Sequence, residues 1–236
     1  MRKTVGERVT ADFDITTGKV RFYSNGGILY EDWVERLYIG RHQIESISVE
    51  EGTVFLPPCS SGYDTSTGKN TMFGGLHNVE SIDLNGFDTS NVINMKWMFC
   101  DCYDLRRLDM SNFNTSSVTD MHGMFHYCQS LTRLDLSGFD TSNVTDMSYM
   151  FYHCQSMTNL NLSSFDTTKV AAMEGMFMDC RNLKELDLSS FDISNVKDIS
   201  SIFVNCQRLT HIRMIPAIGG NAATCDIFKN CSADII

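Results

Sequence analysis

Two apolar rhythms alternate along this chain. In "LTRLDL" (131–136) the apolar residues stand at positions 1, 4 and 6, which predicts a short strand with one face inward. In "VTDMSYMFYHC" (144–154), Val144, Met147, Met150, Phe151 and Cys154 fall at offsets 0, 3, 6, 7 and 10, which predicts one face of a short helix. Thr141 or Ser142 would cap it, and Asp146 would lie in its first turn, where the macrodipole favours negative charge. The pair of rhythms recurs every 26 residues, in five units opened by Phe87, Phe113, Phe139, Phe165 and Phe191. A degenerate unit precedes them, and "IFKNC" (227–231) echoes "IFVNC" (202–206) after them. Strands are predicted to begin at Val79, Leu105, Leu131, Met157, Leu183 and Leu209, with a further one in "IESISV" (44–49). One strand and one helix cannot bury their own apolar faces, but stacked copies can. The fold class is therefore α/β: a right-handed solenoid with a parallel β-sheet on its concave side and short helices on the other.

The first 60 residues do not repeat. "VTADFDITTGKVRFYSNGG" predicts two strands joined by a turn at Thr17-Gly18, so residues 1–60 are expected to form an N-terminal β cap and 61–236 the solenoid, with full units over 87–216. At 236 residues the chain is long enough for one sizeable core. Its net charge of −10 argues against nucleic acid or an anionic membrane as partner. No apolar run approaches the roughly 18 residues of a membrane span, so no membrane insertion is expected. The opening "MRKTVGERVTADFDI" has no apolar stretch after its basic residues, which predicts no signal peptide in this chain and leaves a cytoplasmic location open.

The phrase "LDLSGFDTSNVTDMSYMFYHC" (134–154) and its copies resemble the BspA-type leucine-rich repeats of bacterial surface proteins, over about residues 61–231. The segment "ADFDITTGKVRFYSNGG" is similar to the non-repeating β segment that often precedes such repeats. The resemblance implies a leucine-rich-repeat fold, an extracellular or cell-surface location, a recognition or adhesion role toward a protein or glycan, host-derived ones included, and no shared catalytic residues.

Several columns in the repeat could carry chemistry. Cys102, Cys128, Cys154, Cys180, Cys206 and Cys231 form one, but Leu76 fills the same slot in the first unit. Rungs about 4.8 Å apart also place neighbouring Cβ atoms too far apart for good disulfides. A line of thiols cannot converge on one zinc ion. The column is expected to be buried packing. Two methionine columns read the same way, because Ile199 and Ile202 replace them in the fifth unit. Asp88, Asp140, Asp166 and Asp192 share their slot with Asn114, which points to turn formation rather than calcium. His122 and His126 lie four apart without a third ligand in view, and are expected on a solvated convex face. No metal, cofactor or catalytic residue is expected.

The outward strand positions are the candidate ligand-binding surface. Arg107, Asp109, Arg133, Asp135, Asn159, Asn161, Glu185 and Asp187 should form one polar patch on the concave face. The function this suggests is a non-enzymatic recognition or adhesion module. The alternatives are an assembly protein that self-associates end to end, because "CSADII" is not a polar cap, or an intracellular interaction scaffold.

Overall fold

The structure is a computed structural model that describes residues 2–30, 32–37, 39–57, 72–214, 226–231 and 233–235. Cys59, Cys225 and the expected boundary at 60/61 lie outside the described residues.

The chain begins with strands β1 (Lys3–Gly6), β2 (Val9–Asp14) and β3 (Lys19–Ser24), paired antiparallel. Gly18, at φ 61°, makes the turn between β2 and β3. After β4 (Gly27–Ile28) and the short helix α1 (Trp33–Leu37), strand β5 (Ser46–Glu51) pairs parallel with β3. The sheet then continues through β7 (Ser81–Ile82) and β9 (Arg107–Leu108), so the N-terminal hairpin and the solenoid share six strands without a break. A second wall is a small parallel sheet of β4, β6 (Val54–Phe55) and β8 (Phe87–Asp88). At the far end β10 (Glu185–Leu188), β11 (His211–Met214) and β12 (Asp234–Ile235) form a third parallel sheet. This is a solenoid of the leucine-rich-repeat class, with about seven turns and a parallel sheet.

Strand positions alternate as the sequence predicts: Leu186 and Leu188 are buried, Glu185 and Asp187 exposed. In the two middle rungs the alternation persists at Leu134, Leu136, Leu160 and Leu162, but residues 131–136 and 157–162 form no paired strand. The sheet ladder is interrupted between β9 and β10.

The segment expected to be helical is a different structure. Residues 121–128 run as overlapping turns, with Met124 N–H donating to the Met121 carbonyl, His126 to Gly123, and Cys128 to Phe125. The intervening amides point out of the rung: Met121, Gly123, Phe125 and Tyr127 donate to Asp146, Ser148, Met150 and Tyr152 of the next one, at 2.8–3.0 Å. Two residues per rung have left-handed backbone, one column running Trp97, Gly123, Tyr149, Gly175, Ser201 and the other Gly75, Asp101, Tyr127, His153, Asp179, Asn205. That conformation breaks a helix after one turn. The apolar phase was nevertheless right: Val144, Met147, Met150, Phe151 and Cys154 are all fully buried. The rungs are thus hydrogen-bonded to one another on the turn wall as well as on the sheet wall.

Thr141 does not cap a helix either. Its hydroxyl donates to the Asp166 carbonyl at 2.9 Å and accepts from the Asp166 amide at 2.8 Å, so one buried side chain stands in for a pair of ladder bonds. Thr89, Thr115 and Thr167 repeat the device. Inside the stack, Phe73, Phe99, Phe125, Phe151, Phe177, Phe203 and Phe228 form a continuous column of near-parallel rings, with centroids 5.5–5.9 Å apart. Spacing in this range lets aromatic faces pack offset without the repulsion of an eclipsed sandwich.

Candidate ligand-binding face

The repeats carry up to three Asp/Asn positions that close their corners, Ala172 leaving one of them empty in the fourth unit. In one column Oδ1 of Asp88, Asn114, Asp140, Asp166 and Asp192 accepts the amide two residues on, at 2.7–3.1 Å. Asn94, Asp120, Asp146 and Asp198 do the same before the turn wall. These are side-chain turns of the kind Asp and Asn both make, so the shared Asp/Asn slot has its explanation in backbone closure.

The third column lies on the candidate face. Oδ1 of Asp83, Asp109, Asp135, Asn161 and Asp187 accepts the amide two residues on, at 2.9–3.1 Å, where each strand segment ends. The Ser111 and Ser137 amides hold the Asp109 and Asp135 carboxyls below the ordinary range, and the Ser189 hydroxyl followed by its amide does so for Asp187. Strand alternation alone does not mark these outward acids as turn formers.

All eight predicted residues are exposed on one face, and they line two adjoining depressions. Arg107, Asp109, Arg133 and Asp135 line an open cleft of about 720 Å³ together with Arg106, Thr132, Ser156 and Thr158. Asn159, Asn161, Glu185 and Asp187 line a second of about 350 Å³, with His211 and Arg213. The larger cleft sits where the sheet ladder is interrupted. Its cations are unequal: Arg106 lies 3.8 Å from Glu80, and in the second depression Arg213 lies 3.6 Å from Asp187. Among the described residues, the Arg107 and Arg133 side chains make no ion pair or hydrogen bond.

The turn wall holds a feature that sequence reasoning missed. Trp97, His122, His126, Tyr127, Tyr149, Tyr152 and His153 form a connected, half-buried ring cluster across three rungs. His126 was expected on a solvated face. It lies instead against Trp97 at 4.9 Å and Tyr152 at 4.8 Å, and burial pushes its pKa down to about 4. His122 faces Asp146 at 3.4 Å, the Tyr149 hydroxyl contacts Glu174, and Gln155 contacts His153. The aromatic residues sit on both sides of the left-handed positions, where a helical reading scatters them around a cylinder.

The cysteine column is interior from Cys102 to Cys206, whereas Cys231, expected in the same buried column, is only partly buried. Cys102, Cys128, Cys154, Cys180 and Cys206 are buried free thiols, each donating to the carbonyl of a phenylalanine 29 residues earlier at 3.0–3.2 Å. Among the described residues no group of three or more His, Cys, Asp or Glu side chains is placed to hold a metal ion, and no helix is long and apolar enough to cross a membrane.

Stacked 26-residue rungs, leucines alternating on a parallel sheet and a ring column through the core define a leucine-rich-repeat solenoid. The family model described as "Mycoplasma protein of unknown function, DUF285" matches residues 67–160 and 134–215, and the chain belongs to that family. Among solved structures, it is similar to a leucine-rich cell surface protein from Faecalibacterium prausnitzii A2-165, with 13% identity and a TM-score of 0.35, over 100% of this chain and 76% of that one. A leucine-rich repeat protein from Bacteroides ovatus ATCC 8483 gives 12% identity and a TM-score of 0.23, over 98% and 81%. None of the curated proteins matches.

Proposed function

We propose that this protein is a recognition module that binds a macromolecular ligand on its sheet face, and that its role is adhesive and extracellular. The observation that carries the reading is the pair of adjoining clefts lined by all eight outward strand residues, with two guanidiniums in the larger one that are unpaired among the described residues. A repeat scaffold of this kind holds such residues on a rigid stack while their identities vary from rung to rung. The resemblance to bacterial surface repeats supports the extracellular setting.

The test is retention on glycan and peptide arrays by the wild type, by the double variant Arg107→Glu/Arg133→Glu, and by the control Lys197→Glu. Lys197 is exposed and its amide bonds to Ala171 at the corner leading into the turn wall, away from the clefts. Ligands held by the wild type and by the control, and lost by the double variant, support the sheet face. Retention that survives the double variant, or an array on which nothing is held, counts against the reading. Melting curves of all three proteins should coincide, because exposed substitutions of this kind usually change stability by no more than about 0.5 kcal/mol.

A further inference from the structure

Arg107 and Arg133, unpaired among the described residues, say more about the ligand than the cleft alone. Arg107 and Arg133 occupy equivalent positions 26 residues apart on successive rungs, and both line the same cleft. Like charges brought into one cleft repel, and the acids that would offset them are turned to another task. Asp109 and Asp135 each commit Oδ1 to a backbone amide, and neither carboxylate reaches an arginine within ion-pair distance. What remains is a pair of guanidinium forks able to clamp one oxyanion between them, since such forks match carboxylates with two parallel bonds.

The rest of the lining narrows the class. Oδ2 of Asp109 and of Asp135 has acceptor capacity to spare, and it stands within the same cleft as the hydroxyls of Thr132, Ser156 and Thr158. A polyacidic peptide would satisfy the arginines and then meet the two aspartates with like charge. A sugar acid brings one carboxylate for the arginines and a set of neighbouring hydroxyls that donate to the aspartates. We infer that the larger cleft binds a glycan bearing a carboxylate-carrying sugar, with the acid group held between Arg107 and Arg133 and ring hydroxyls donating to Asp109 and Asp135. This rests on the sheet-face reading above and adds the ligand's chemistry to it.

Calorimetric titration of the full chain with five probes decides it: a trisaccharide ending in N-acetylneuraminic acid, a glucuronate tetrasaccharide, the neutral counterpart of each, and a tetraglutamate peptide. Either acid glycan should bind, and its neutral counterpart should bind at least tenfold more weakly. Arg107→Gln and Arg133→Gln should each weaken the acid glycan at least tenfold, while Asp135→Asn, which keeps the Oδ1 acceptor of the turn, should weaken it less. If neither acid glycan binds, or if binding is indifferent to both arginine variants, the inference fails. Binding of tetraglutamate as tight as that of the glycans, and lost in the arginine variants, would overturn the sugar-acid assignment while leaving the sheet face as the recognition surface.

Discussion

Phe125 shows how much one residue position carries in this fold. Its ring belongs to the core column, its amide reaches the next rung at Met150, and its carbonyl accepts both the Cys128 amide at 3.1 Å and the Cys154 thiol at 3.2 Å. The cysteine is thus a small buried side chain with a donor, a combination that Ala lacks and that Leu76 supplies only as bulk. Burial pushes the Cys102 and Cys154 thiols up to about 12. Native protein at pH 8 should therefore label at these residues only as fast as it unfolds, with the full count appearing in denaturant; prompt labelling of either residue would contradict the buried position. Cys154→Ala should cost about 1–2 kcal/mol through the lost donor and the small void, read as a shifted denaturation midpoint. His126 makes the corresponding case for pH. Its neighbours are Trp97, Tyr127, Tyr152 and the histidines His122 and His153, and its pKa falls from 6.5 to about 4 because burial penalises the charged ring. A depressed histidine leaves the folded state neutral, so its contribution is fully present above pH 6.5 and declines as pH falls toward 4. His153, shifted the same way by burial, adds to the loss. Denaturation midpoints should fall over that window, and His126→Phe should flatten the slope; an unchanged slope would show that the ring is solvated after all.

Between residue and stack lies the turn wall, the element in which sequence and structure part company. The offsets 0, 3, 6, 7 and 10 fit a helix, and they equally fit overlapping turns closed by bonds to the third residue on, because both bring every third or fourth side chain inward. Inward phase was therefore legible at Met147 and Cys154, whereas secondary structure was not. The distinguishing signal lay across the repeats rather than along them: one column reads Gly75, Asp101, Tyr127, His153, Asp179, Asn205, rich in residues that tolerate left-handed backbone. The candidate face was legible residue by residue from strand alternation. The closing role of Asp109 and Asp135, and the freedom of the arginines beside them, required the backbone to be seen. Gly123 tests the element directly. Its φ is +59°, and a Cβ there would collide with the Trp97 ring. Gly123→Ala should destabilise by more than about 1 kcal/mol, and adding Trp97→Ala should restore part of that loss, the steric part, while the backbone strain persists. Gly138→Ala is the comparison, because it meets nothing within 4 Å and its backbone is not left-handed. Equal effects at the two glycines would mean that the left-handed column is not a constraint.

Across the described rungs, amide-to-carbonyl bonds run from rung to rung along the turn wall, and the sheet wall adds ladder bonds at both ends of the stack. Helices about 10 Å across would have spread the rungs on one side; turns joined amide to carbonyl do not. One rung therefore advances the stack by about 4.8 Å while consuming 26 residues. Drawn out straight, the same 26 residues would span roughly 86–94 Å. As a spacer the stack is short for its chain length, but it is also a reel. A pull on its two ends loads the ladder bonds of the outermost rung first, and each rung that peels away should pay out on the order of 80–90 Å of slack. Single-molecule stretching should then show a sawtooth with that increment, repeated for successive rungs, whereas one long rupture of the entire stack would mean that the rungs yield together. A protein held by a ligand on its side wall and tugged by flow would in this way lengthen stepwise before it let go.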